Sequence, residues 1–91
     1  MINVQTLLNE MYYKHGYQHD TIYDHNRYYT TLYNPNQSAL HFTIEHDNLE
    51  NCEFVFIREH CQFQDVSRKR KFKTLKGVVN RIKKIETLVI Y

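Results

Sequence analysis

Four sets of side chains in this 91-residue chain have the types and spacing to do chemistry: a run of cations, a crowd of tyrosines, six histidines and two cysteines. The cations are the most concentrated. Arg68, Lys69, Arg70 and Lys71 are consecutive, and Lys73, Lys76, Arg81, Lys83 and Lys84 follow, which makes nine of the twelve Lys and Arg residues. Phosphate binding needs several cations that converge without burying their charge, because the affinity comes from released counterions. Arg68 and Arg70 have the planar fork that grips a phosphate bidentately. The rest of the chain has the opposite sign. Residues 1–67 carry Lys14, Arg27 and Arg58 against nine Asp and Glu, a balance of −6, whereas residues 68–91 carry nine cations against Glu86, a balance of +8. Such asymmetry points to nucleic acid, a nucleoprotein complex or an acidic protein partner. The plainer reading is a basic segment that neutralises its own acidic half.

Seven of the eight tyrosines (Tyr12, Tyr13, Tyr17, Tyr23, Tyr28, Tyr29 and Tyr33) lie in the first third. Neighbours in a strand point to opposite faces, so Tyr28 and Tyr29 cannot both face the helices. Tyr29, Tyr33 and His41 are therefore expected as an aromatic patch that stacks bases or meets a protein. For any one tyrosine, rim packing with the hydroxyl in water is the simpler role.

Metal and catalytic readings find less support. Zinc sites show close Cys or His pairs. Cys52 and Cys61 are nine apart; in one continuous strand that is nearly 30 Å, at about 3.3 Å per residue, with the side chains on opposite faces. They would then share neither a zinc nor a disulfide. His15 and His19 are four apart, but Gly16 interrupts them. His60 and Cys61 diverge as strand neighbours. There is no His-x-His pair, no carboxylate followed two positions later by Lys, and no glycine-rich phosphate loop. The expectation is a protein without metal or cofactor and without enzymatic activity. An RNA-cleaving toxin built on His41 or His46 with Tyr and Arg stays open, because such enzymes need no linear motif.

The elements that must position these groups follow from periodicity. Val4, Leu7, Leu8, Met11 and Tyr12 form one helical stripe, with Asn3 as its cap and Gly16 at its end. Residues 17–26 read as polar and aromatic, with Asp24, His25 and Asn26 as turn formers. Arg27–Tyr33 reads as a strand and residues 34–38 as a loop. Ala39–His46 alternates, with Leu40, Phe42 and Ile44 on one face. Residues 47–51 turn the chain. Phe54-Val55-Phe56-Ile57 is apolar on both parities and predicts a strand that is central or covered on both faces. Residues 61–71 give no clear pattern, and Gln62–Val66 either extends that strand or loops. Leu75, Val78, Val79, Ile82 and Ile85 share a helix face, with Thr74 or Ser67 as cap. Gly77 costs that helix about 1 kcal/mol relative to Ala, so it implies close packing or a start near Thr74. Thr87–Tyr91 finishes the helix or forms a short strand able to pair across a two-fold axis, which makes a homodimer conceivable.

The prediction is one α+β domain: helix, three-stranded antiparallel sheet, helix (α-β-β-β-α), with both helices on one sheet face. Leu7, Leu8, Met11, Phe42, Ile44, Phe54, Phe56, Val78, Val79 and Ile82 are its expected core. This order is similar to a double-stranded RNA-binding domain, with Leu7-Leu8-Asn9-Glu10 in the first helix and the Arg68–Lys71 run before the second. The resemblance is one of topology, and function does not follow from fold alone.

No apolar run is long enough to span a membrane, and no cationic leader precedes the first helix, so the chain is expected in the cytoplasm with reduced thiols. Asn, Ile, Lys, Tyr and Phe supply 35 of the 91 residues. All have AT-rich codons, which suggests a low-GC bacterial source and, for so small a chain, a phage or other mobile element. The sequence thus favours a non-enzymatic binding protein that docks its basic C-terminal segment on nucleic acid or a nucleic-acid-handling complex. The next reading is a protein-directed inhibitor of a host defence factor, of the anti-CRISPR kind.

Overall fold

The computed structural model describes residues 1–36, 40–61 and 69–89. In chain order the elements are β1 (Ile2–Asn3), α1 (Val4–His15), β2 (Gln18–Asp24), β3 (Arg27–Tyr33), β4 (Leu40–His46), β5 (Asn51–Cys52), β6 (Val55–Cys61), β7 (Lys69–Phe72) and α2 (Leu75–Val89). Both ends of α1 are local and legible. The Asn3 carboxamide oxygen accepts from the Thr6 amide at 2.9 Å, satisfying an N–H with no partner inside the helix. Gly16 takes a left-handed conformation (φ 73°), and the amides of Gly16 and Tyr17 close back on the carbonyls of Tyr12 and Met11. That is a left-handed glycine stop, and it favours glycine because a left-handed backbone crowds a Cβ. β1 pairs with β5 in a small antiparallel ribbon that fixes the start of α1.

The main sheet corrects the three-strand expectation. It has five antiparallel strands in the order β2-β3-β4-β6-β7. β3, β4 and β6 are the expected three, and β2 and β7 flank them. The α-β-β-β-α order behind the likeness to a double-stranded RNA-binding domain therefore does not hold, and Lys69, Arg70 and Lys71 of the cationic run are strand. β2 carries no apolar alternation because all seven of its residues are exposed and neither face is selected for burial. It is held by the β3 ladder and by the turn at His25 (φ 50°) and Asn26 (φ 63°). Positive φ at both central residues is the two-residue hairpin turn whose twist matches the strands it joins.

Thr74 is the cap of α2. Its hydroxyl oxygen accepts from the Gly77 amide at 3.0 Å, and a Cβ on Gly77 would lie only 2.9 Å from that oxygen. The glycine thus lets the cap close. The helix runs to Val89, which leaves no strand from residue 87 to 89; residues 90 and 91, Gln62–Val66, Ser67 and Arg68 lie outside the described residues.

One core takes Val4, Leu7, Leu8 and Met11 from α1, Val78, Val79, Ile82 and Ile85 from α2, and alternate residues from the sheet (Leu32, Phe42, Ile44, Val55 and Ile57). Both helices therefore lie on one sheet face. Phe54 and Phe56, expected in that core, are not in it. Val55 and Ile57 take the helix side, and the period of two sends both phenylalanines to the other face. Tyr17 joins the core instead, 1% exposed, with its hydroxyl donating to Glu86 Oε1 at 2.9 Å. Burial, together with that carboxylate, pushes its phenol pKa far up. Among the described residues no helix is long and apolar enough to cross a membrane.

Candidate functional site

Among the described residues no element covers the face of the sheet away from the helices, and register decides what stands on it. Across the strands run Tyr29 opposite Glu45 opposite Phe56 opposite Lys71, then Thr31 opposite Thr43 opposite Arg58 opposite Lys69, then Tyr33 opposite His41 opposite His60. None of these side chains is fully buried. Tyr29, Tyr33 and His41, expected as a patch, are brought together here. The His41 and His60 rings stack at 4.6 Å, 12° from parallel. Further along β6, beyond Arg58, the Phe54 and Phe56 rings meet edge to face at 5.4 Å.

The same alternation divides the basic run. Lys69 and Lys71 rise onto the open face, where their ammonium groups sit over the Phe56 and Phe54 rings, 4.9 Å and 4.2 Å from the centroids. Such cation–π contacts contribute about 0.5–1 kcal/mol each at exposed sites. They also hold two charges at the height of the aromatic surface. Arg70 points to the helix side, 4.0 Å from the buried Glu59 carboxylate. Arg81 is taken up completely there, with Nε 2.6 Å from Glu59 Oε1 and Nη2 3.2 Å from Oε2. Lys73 is exposed after β7, and Lys76, Lys83 and Lys84 are exposed on α2, on the opposite side of the sheet from Lys69 and Lys71. The nine cations thus do not form one surface, and Arg68 lies outside the described residues.

Sequence reasoning missed Phe54, Phe56, Arg58 and His60 as surface residues. Their parity relative to Val55 and Ile57 was the available signal, masked because both parities of β6 are apolar at its start. Of these, Phe56, Arg58 and His60 line a shallow hollow of about 400 Å³ with Tyr29, Thr43, Glu45 and Lys69. Glu45 is the sole carboxylate among the described residues of β3 to β7 on this face, and both its oxygens are engaged. Arg27 Nε lies 2.8 Å from one and Lys69 Nζ 3.1 Å from the other. A carboxylate clamped between two cations acts as a structural counterion, and it is a poor general base. The charge left on this face over β3 to β7 is positive: Arg27, Arg58, Lys69 and Lys71 against Glu45. The acidic residues Asp20 and Asp24 stand on β2, four strand spacings or about 19 Å from β7.

No protein-family model matches the chain, and no curated protein or solved structure shows significant similarity to it.

His46 and His41, the two histidines considered for RNA cleavage, lie on opposite faces, and His46 is 0% exposed. Its Nδ1 is 2.9 Å from the Asn48 carbonyl, which can only accept, so Nδ1 carries the proton. Nε2 then accepts from the Thr30 hydroxyl at 2.7 Å, and Thr30 accepts from Thr21 at 2.8 Å. Burial lowers the His46 pKa below its usual value, with the Asn48 carbonyl and Asp47 opposing that shift and Arg27 adding to it. The folded imidazole resists protonation more than the unfolded one, so the unfolded chain binds more protons below about pH 6.5. Stability is thus expected to fall as pH drops from there through the folded pKa. The check is the urea midpoint at pH 7.5 and 5.5: a lower midpoint at 5.5 that His46→Gln largely removes. Equal midpoints for the wild type would refute it.

Cys52 is buried with its thiol donating to the same Asn48 carbonyl, and burial raises its pKa. It is an inert thiol. It lies in the small ribbon, whereas Cys61 ends β6 of the main sheet, so the two are not in one strand. Among the described residues no three His, Cys, Asp or Glu side chains gather as a metal site.

Proposed function

We propose that this is a non-enzymatic protein that binds single-stranded nucleic acid on its uncovered sheet face. The observation that carries the proposal is the interleaving of rings and cations there. Tyr29, Tyr33 and the stacked His41–His60 pair offer flat π surfaces, while Arg58 shares β6 with His60 and Lys69 and Lys71 stand on the next strand, three strands from the tyrosines. Bases stack on aromatic side chains whatever their sequence, and phosphates need cations beside them whose charge is not buried. A duplex hides its base faces and cannot use the rings. The sheet face thus replaces the whole C-terminal run as the proposed docking surface, and of that run Lys69 and Lys71 carry the contact. The source of the chain in a phage or mobile element remains part of this proposal, and its partner in the cell would be a nucleic acid or a complex that exposes one.

Fluorescence anisotropy with a labelled mixed-sequence single strand, as RNA and as DNA, tests the reading. Three phosphate contacts on a single strand predict a log–log salt slope of about −2, which is about a 20-fold loss of affinity between 50 and 200 mM salt. The matching duplex should bind more weakly. Absence of binding at 50 mM salt, or affinity indifferent to salt, would sink the proposal.

A further inference from the structure

The two edges of the sheet are treated very differently. β7 is four residues long and begins Lys69-Arg70-Lys71, the kind of charged, short edge that discourages another strand. β2 is seven residues long, in continuous register with β3, and has no Lys, Arg or Pro. All seven of its residues are exposed, Ile22 and Tyr23 by 63% and 60%. An edge of that length with free main-chain groups is a template for pairing.

Register shows which groups are free. The two-residue turn closes on Asp24 opposite Arg27, so that pair exchanges main-chain hydrogen bonds. By alternation, so do Ile22 with Tyr29, Asp20 with Thr31 and Gln18 with Tyr33. The N–H and C=O groups of His19, Thr21 and Tyr23 therefore point away from β3.

We propose that two copies of this chain pair antiparallel through β2, with Thr21 facing the partner's Thr21, so that the two five-stranded sheets join into one. His19 then faces the partner's Tyr23, and the three outward residues of each strand exchange main-chain hydrogen bonds. A two-fold interface must be complementary to itself, and charge selects this register. Slipping by two residues sets Asp20 against the partner's Asp20 or the partner's Asp24, and like charges directly opposite are destabilising. Centred on Thr21, Asp20 lies beside Ile22 and Asp24 beside the Gln18 amide. The axis is perpendicular to the sheet, so both bare faces look the same way. The dimer does not depend on the nucleic-acid reading.

Sedimentation velocity reads the mass directly. One strand pair buries less than the roughly 1,200 Å² of a standard interface, so the dimer should form in the micromolar range. Runs without nucleic acid should show one chain at low micromolar and two chains at several hundred micromolar protein. Thr21→Pro removes the outward amide at the axis and leaves the β3 ladder intact; Thr21→Lys sets two ammonium groups across it. Both variants should stay monomeric throughout with wild-type circular dichroism, and Thr21→Lys alone decides the matter should the proline variant not fold. Three results would overturn the proposal: a wild type that remains monomeric, Thr21→Lys dimerising like the wild type, or a mass that climbs past two chains. The last would mean β2 pairs with β7 of the next copy.

Discussion

Replacing Glu59 by alanine should destabilise the protein by about 3 kcal/mol, at the lower end of what removing one partner of a buried ion pair costs. Glu59 is 5% exposed on the helix side of β6. Its two oxygens accept from Arg81 of α2 at 2.6 and 3.2 Å, and Arg70 of β7 approaches to 4.0 Å. The carboxylate thus ties an inner strand, an edge strand and the last helix to one point. Without it, the Arg81 guanidinium is left mostly buried with no counterion. The lower end applies because a long arginine stem lets the head swing partly into water. A domain of this size holds roughly 5–13 kcal/mol in total, so the loss is a large share of its stability. Thermal unfolding followed by circular dichroism should show a fall of about 12–24 °C. The double variant Glu59→Met with Arg81→Met should recover most of it, because apolar side chains of similar volume usually replace a buried ion pair at little cost. A change under about 1 kcal/mol in the single variant would show the pair to be dispensable.

The second large effect concerns binding, and it separates the two halves of the basic run. Lys69→Gln with Lys71→Gln removes two of the three proposed phosphate contacts while leaving Arg27 to pair with Glu45. Each single-strand contact adds about 0.7 to the salt slope, or roughly eightfold at 50 mM salt. The double variant should therefore bind a single strand roughly 50-fold more weakly at 50 mM, with its slope flattened from about −2 to about −0.7. Lys83→Gln with Lys84→Gln removes the same charge from α2 on the far side of the sheet, and should change affinity by less than about threefold, a residual long-range effect screened by salt. Equal losses from the two pairs would mean that binding follows net charge and that the open face has no special role. Circular dichroism on the wild type and both double variants guards against unfolding.

How much of this was legible in the sequence depends on the range of the interaction involved. α1 was readable except at Tyr12, expected in the buried stripe but 52% exposed, because its signals are local: Asn3 caps three residues ahead, Val4, Leu7, Leu8 and Met11 face the core, and Gly16 supplies the left-handed stop. β4 was readable because one covered face and one open face imprint a period of two. Thr74, one of two expected caps, is the cap that closes on Gly77. These features follow from which groups a short stretch of chain can satisfy by itself.

The candidate site was only half legible. The sequence marked Tyr29, Tyr33 and His41 as a patch and the Lys/Arg run as a separate feature; it could not show that part of the run belongs beside the patch. Strand pairing decided that, since β7 lies against β6 and its alternation lifts Lys69 and Lys71 while turning Arg70 inward. Phe54 and Phe56 looked like core for a related reason: hydrophobicity names the residues that prefer burial, but parity and the neighbouring lysines decide which face receives them.

What the sequence determined by itself is therefore the α+β class, the two helices with their caps, and the sign asymmetry between the two parts of the chain. Tertiary structure alone decided that the sheet has five strands, that Glu59 absorbs Arg81, and that the cations divide between two faces. The reason is physical. β2 and β7 are held by main-chain hydrogen bonds to neighbours, which carry no side-chain pattern, and an exposed strand has no apolar period for a sequence to display.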